Sequence, residues 1–199
     1  MFTALPSEVQ RELASLAEQY GQPRVIFAPL DLSEGLFDPL SSRDRYGEVC
    51  MVIRRPAGTL LTAKKTFYPL DGHRLLTGGI HPGEPVLQAL LREVHEETGL
   101  TVEVRRFLVA VAYHQAGEEQ NPLFYTFAFL LDEISGTLGS LDPDEHLEYF
   151  REIAPADLPE RAAFLDQLAD VFSPDLQANW AVWGRFRAII HRHVWDALQ

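Results

Sequence analysis

Arg92, Glu93, Glu96 and Glu97 place a guanidinium and three carboxylates close together in the segment GGIHPGEPVLQALLREVHEETGL, which begins at Gly78. At about 100° per residue the three glutamates, at i, i+3 and i+4, share one face of a helix. Carboxylates gathered in this way repel one another, and a divalent cation between them relieves the repulsion. Hard oxygen ligands suit Mg²⁺ or Mn²⁺ better than zinc. The chemistry available to such a cluster is that of a metal-bound pyrophosphate. Leu87, Leu91, Val94 and Thr98 would form the opposite stripe of the helix and face a core.

A solvated face is the ordinary reading of a charge run, but it requires neither Gly78 and Gly99 at the two ends nor Glu84 and Arg92 in register. The order and spacing resemble the signature of the Nudix hydrolase family, G-x5-E-x7-R-E-U-x-E-E-x-G-U with U a bulky aliphatic residue. Gly78, Glu84, Arg92, Glu93, Val94, Glu96, Glu97, Gly99 and Leu100 match every constrained position. Coincidence at this level has a probability on the order of 10⁻¹⁰ per starting point.

The resemblance covers about residues 46–160 and implies an α/β fold, an α/β/α sandwich around a mixed β-sheet. Residues 1–45 are then an N-terminal helical or loop extension, and 161–199 a C-terminal helical extension packing on the same domain. It also implies that Glu93 and Glu97 ligate the metal directly, with Glu96 beside them as ligand, through-water ligand or base. Arg92 would orient Glu93 and balance the acids. Glu84 would fix the loop and helix, through Arg92 or as a simple helix cap, and Gly78 and Gly99 would permit turns. The residue before the first glycine, Thr77, would lend its backbone carbonyl to the metal. The usual Pro-Gly-Gly reads Leu76-Thr77-Gly78 here, a departure that touches the turn but not the carboxylates. Members of the family often recruit one more glutamate from a later loop. Asp144, Glu145 and Glu148 are candidates, Glu145 first among them, with Glu118 and Glu119 behind.

With 29 acidic against 17 basic residues, the formal charge of −12 opposes broad nucleic-acid binding by phosphate neutralisation. A small phosphorylated nucleotide could still arrive as a metal complex and be held by local cations such as Lys64, Lys65 and Arg74. His81, bordering the glycine turn, is a further phosphate contact to consider. One cysteine, Cys50, leaves no internal disulfide and reads as a small buried hydrophobe in a reducing compartment. The N-terminus does not read as a secretion signal, and the longest apolar stretch, Leu123–Leu131, is too short to span a bilayer. The expectation is a cytoplasmic protein with no membrane partner.

The elements that must position this chemistry can be read in order. Ser7–Tyr20 is patterned as a helix, with Ser7 and Gln10 as a capping box, a stripe of Val9, Leu13, Leu16 and Tyr20, and Gly21 as the stop. Residues 22–44 read as extended or loop. Val49–Arg54 and Thr59–Lys64 form a hairpin about Pro56-Ala57-Gly58, and Arg74–Thr77 a short strand into a Gly78-Gly79 turn. Strands follow at Val102–His114, Leu123–Leu131 and Leu147–Ile153. Pro155-Ala156-Asp157 opens a helical tail, with a last helix from Asp175. Its stripe of Trp180, Trp183, Phe186, Ile190 and Val194 packs on the domain or forms a homodimer contact. His191 and His193 are expected at its surface.

The reading that follows is metal-dependent hydrolysis of a phosphoanhydride in a nucleoside diphosphate linked to another moiety. A nucleotide-sensing module without turnover is the alternative, opposed by the intact glutamates. An isoprenoid diphosphate isomerase would need cysteine and acid chemistry that Cys50 does not obviously supply. Accessory signals for ADP-ribose or dinucleoside polyphosphates are missing: Gln115 stands where a proline is expected, and Tyr113 is too early.

Overall fold

The computed structural model describes residues 2–33, 35–41, 45–142 and 145–199. The elements are α1 (Ser7–Tyr20), β1 (Arg24–Leu30), β2 (Gly47–Arg54), β3 (Leu60–Lys65), β4 (Leu76–Gly79), α2 (Val86–Thr98), β5 (Leu100–Gln115), β6 (Phe124–Gly136), β7 (Leu147–Ile153), α3 (Leu158–Asp166), the short pair β8 (Phe172–Ser173) and β9 (Ala178–Asn179), and α4 (Trp180–Leu198).

Seven strands form one mixed sheet in the order β1-β5-β6-β2-β3-β7, with β4 paired to β2. β1 runs parallel to β5 and β2 parallel to β6, while the other pairings are antiparallel. Alternation along β2 supplies both faces. Val49, Met51 and Ile53 enter a core with Leu13, Leu90 and Phe127 under α1 and α2. Cys50 and Val52 enter another with Trp183, Phe186 and Val194 under α3 and α4. This is the α/β/α sandwich expected. Among the described residues no helix is long and apolar enough to cross a membrane.

Several local readings change. The segment after α1 is a true edge strand, β1, which joins the sheet rather than merely leading to it. The capping box at Ser7 does not form; Gln10 Nε2 instead donates to the Leu5 carbonyl at 2.7 Å. The hairpin turn is present, but β2 and β3 share only the pair Arg54–Leu60 before β3 departs to β7. The last helix starts at Trp180, because β8 and β9 occupy the preceding stretch. The aromatic stripe of α4 is buried within the chain itself, Trp183, Phe186, Ile190 and Val194 each being at most 1% exposed.

The helical face of α2 is also rotated from expectation. Its buried residues are Val86, Ala89, Leu90, Glu93, Val94, Glu97 and Thr98, while Leu91 is 44% exposed. Two carboxylates therefore share the buried side with the aliphatic stripe, and the helix presses its acids toward β4 rather than away from the sheet.

Candidate active site

Gly78 sits within β4 opposite Val49, not in a turn, and it is required for a different reason. A Cβ built there would stand 2.0 Å from Cδ of Glu93, so the carboxylate rests on bare backbone. Gly99 does end α2 in the left-handed conformation, at φ +65°, with its N–H on the His95 carbonyl at 2.9 Å.

The register of β4 fixes which carbonyls face the site. The Ile80 N–H donates to Gly47 O at 3.1 Å, so by antiparallel alternation Gly78 and Leu76 also exchange bonds with β2. Leu75, Thr77 and Gly79 then direct their backbone groups away from β2. Gly79 O accepts from Arg92 Nη2 at 2.9 Å, and Leu75 O accepts from Arg74 Nη1 at 2.7 Å. The Thr77 carbonyl lies on this same edge, between the two.

Arg92 gathers the loop before the helix. Its guanidinium reaches Glu84 Oε1 at 2.8 Å and Oε2 at 2.9 Å, Glu93 Oε1 at 2.9 Å and Glu96 Oε2 at 2.9 Å. Arg92 beside it holds the Glu84 carboxyl below the usual range. Glu84 does not cap α2. That role falls to Glu12 of α1, whose two carboxylate oxygens accept from the Val86 and Leu87 N–H groups, each at 3.0 Å.

Glu93, Glu97 and Glu145 offer oxygens that lie within 4.8 Å of one another. Burial pushes the Glu93 carboxyl up to about 7 against the opposing pull of Arg92, and burial with the neighbouring Glu145 pushes Glu97 well above its ordinary value. Burial works to raise Glu145 as well, but the hydrogen bond and charge of Lys65, together with a hydrogen bond from Glu97, bring it below the usual range. Lys65 Nζ stands 2.8 Å from Glu145 Oε2. Three convergent oxygen donors, two of them reluctant to ionise where they sit, are the donor set a hard divalent ion fits. Glu96 stays outside this cluster: its side chain is 42% exposed and pairs with Arg92.

The remaining cations are committed elsewhere. Lys64 is buried and paired with Glu148, the neighbouring Lys65 pointing to the other side of the strand. Arg74 is buried against Tyr68 Oη, Leu75 O and Thr77 Oγ1. His81 is exposed, its ring 3.8 Å from Glu84. Lys65, weighed only as a local cation, reaches Glu145 of the acidic cluster. Glu118 and Glu119 are exposed in the β5–β6 loop, and Asp144 lies outside the described residues.

His191, expected at the surface, is fully buried: its Nε2 accepts from the Leu75 N–H at 3.0 Å and its Nδ1 lies 2.8 Å from Arg187 O. Arg187 in turn donates to Glu48 Oε1 at 2.6 Å, a buried ion pair no spacing in the sequence announced. Cys50 is buried, its thiol pushed up to about 12 by desolvation, which suits packing and not nucleophilic attack.

The chain is similar to known proteins in sequence. The NUDIX domain model matches residues 45–174. The CTP pyrophosphohydrolase of Escherichia coli K12 is 31% identical over 126 residues, covering 59% of this chain and 89% of that protein. The ADP-ribose pyrophosphatase of Methanocaldococcus jannaschii is 33% identical over 92 residues, 46% of this chain; the match spans only about half, 53%, of that relative's length. A MutT NUDIX hydrolase structure from Burkholderia pseudomallei superposes with a TM-score of 0.47 at 21% identity, covering 79% of this chain and all of that one. The chain belongs to the NUDIX family, as a hydrolase acting on pyrophosphate bonds.

Proposed function

We propose that the chain is a Mg²⁺- or Mn²⁺-dependent hydrolase that cleaves the phosphoanhydride of a nucleoside diphosphate linked to a further group. The observation that carries this is the convergence of Glu93, Glu97 and Glu145 within 4.8 Å. Glu93 and Glu97, with the Thr77 carbonyl, would hold the ion, whose contribution is to neutralise phosphate oxygens and acidify water.

The chain's own residues do the rest. Arg92 fixes the Glu93 carboxylate and ties it to the Gly79 carbonyl, so the acids keep their positions without reorganising. Glu145, ionised beside Lys65, accepts at a carboxylate oxygen the proton of the attacking water. Water adds to one phosphorus, the bridging P–O bond breaks, and the leaving phosphate carries away the bridging oxygen. Lys65, freed from Glu145 as that carboxylate engages the reaction, takes a phosphate oxygen. The surface charge of −12 keeps polyanions away and leaves small nucleotides as substrates.

The relatives named for CTP and for ADP-ribose share a nucleoside 5′-diphosphate unit, and we assign that unit to the substrate. The test is product analysis after incubation with nucleoside triphosphates, nucleotide sugars and dinucleotides, each with Mg²⁺ or with EDTA. Metal-dependent turnover of at least one, cut about 10²-fold or more in Glu97→Gln, is the expected result. Equal turnover by the variant, or turnover in EDTA, overturns the proposal.

A further inference from the structure

We propose that His191, on the C-terminal helix α4, is a positioning residue for the metal-binding edge of β4. This rests on the reading that the Thr77 carbonyl belongs to the metal site. On the outward edge of β4, Gly79 is held by Arg92 on one side of Thr77, and Leu75 on the other. Leu75 is held twice. Arg74 Nη1 donates to its carbonyl at 2.7 Å and to Thr77 Oγ1 at 3.0 Å, while its N–H donates to His191 Nε2 at 3.0 Å.

The ring's orientation is dictated by partners with a single role each. A carbonyl only accepts, so His191 Nδ1 carries the proton and donates to Arg187 O at 2.8 Å. A backbone N–H only donates, so Nε2 is bare and accepts from Leu75. Arg187 is itself anchored to Glu48 Oε1 at 2.6 Å, and Glu48 lies opposite Gly79 on the neighbouring strand. The chain Glu48–Arg187–His191–Leu75 therefore leaves β2, runs through α4 and returns to the residue that leads into β4, two before Thr77. An element outside the matched family segment sets the register of a carbonyl inside it.

Two experiments test this on the full-length protein. In ¹⁵N NMR of the wild type, Mg²⁺ titration without nucleotide should move the Thr77 and Leu75 amides and the His191 Nε2 resonance with one midpoint. A His191 signal that stays still while Thr77 moves overturns the inference alone; no movement at any of them overturns the metal reading as well.

The second experiment measures Mn²⁺ affinity by electron paramagnetic resonance. His191→Phe, which keeps bulk but loses both bonds, should weaken binding about ten-fold, as loss of the groups that orient metal ligands does. His191→Gln, whose amide oxygen can receive the Leu75 N–H, should recover to within about two-fold of wild type. Val194→Ala, which loosens α4 without touching β4, should lower the melting temperature and leave Mn²⁺ affinity unchanged. Wild-type affinity in His191→Phe, or an equal loss in Val194→Ala, overturns the proposal; should the Phe variant not fold, the wild-type NMR result decides.

Discussion

Gly78 and Glu93 occupy one another's space: the acid's Cδ lies 2.0 Å from where a Gly78 Cβ would be. Contact this close cannot be absorbed by a small shift, since the neighbour is the carboxylate itself, buried and bonded to Arg92. Gly78→Ala should therefore displace Glu93 and cut Mn²⁺ affinity at least about ten-fold while the fold persists. Circular dichroism and electron paramagnetic resonance on the same sample separate these outcomes.

The acids also make stability depend on pH and metal together. Glu93, ordinarily near 4.5, is raised to about 7 by burial, and burial pushes Glu97 well above its ordinary value. A carboxyl raised on folding contributes stability that is fully present below its unfolded value, about 4.3, and is lost as pH rises through its folded value. Metal-free protein should thus lose stability from about pH 4 to 7 as Glu93 ionises. Added Mg²⁺ should stabilise more at pH 8 than at pH 5, with protons released on binding. Melting curves in EDTA and in Mg²⁺ across that range check both signs.

On the acid side the histidines act oppositely. Desolvation lowers His191 to about 3 and His73 to about 4, from 6.5. Each contributes stability that is present above 6.5 and disappears as pH falls toward the folded value. His191→Gln should remove part of the acid sensitivity between about pH 6 and 4, seen as a flatter melting profile.

Glu12 caps a helix to which it does not belong. Glu12→Ala strips the acceptor from the Val86 and Leu87 N–H groups and should cost about 1–2 kcal/mol. Glu12→Gln, which retains an acceptor but not the charge, should cost about half as much. Urea denaturation with unchanged slope would attribute the loss to stability rather than to a looser native state.

The Glu48–Arg187 pair is buried on both sides, with side chains 4% and 6% exposed. Glu48→Ala leaves a guanidinium without its partner and should destabilise by about 3–5 kcal/mol. The double variant Glu48→Leu with Arg187→Met should regain most of that loss. If the double variant is no better than the single, the pair itself, and not the orphaned charge, is what the fold needs.

That Glu93, Glu96 and Glu97 share one helix was legible in the sequence because helical spacing is local, and so were the central strands, because alternation is local too. What escaped was whatever depends on which face meets which partner. The stripe Leu87, Leu91, Val94 and Thr98 satisfied helical periodicity, yet the helix turned Leu91 outward and drew Glu93 and Glu97 inward, since Arg92 and the bare Gly78 backbone receive them. Lys64 and Lys65 look alike in the chain, and only their partners across the sheet, Glu148 for Lys64 and Glu145 for Lys65, tell them apart. Glu12, Glu48 and His191 had no signal, because their partners lie 74, 139 and 116 residues away.

The aromatic underside of α4 has a practical corollary for anyone dissecting the molecule. A fragment trimmed to residues 45–174 would bare Tyr113, Phe124 and Cys50 to water and strand the Glu48 carboxylate beneath them. Such a fragment should be sticky and poorly soluble, so the minimal working unit of this enzyme reaches to its last helical turn.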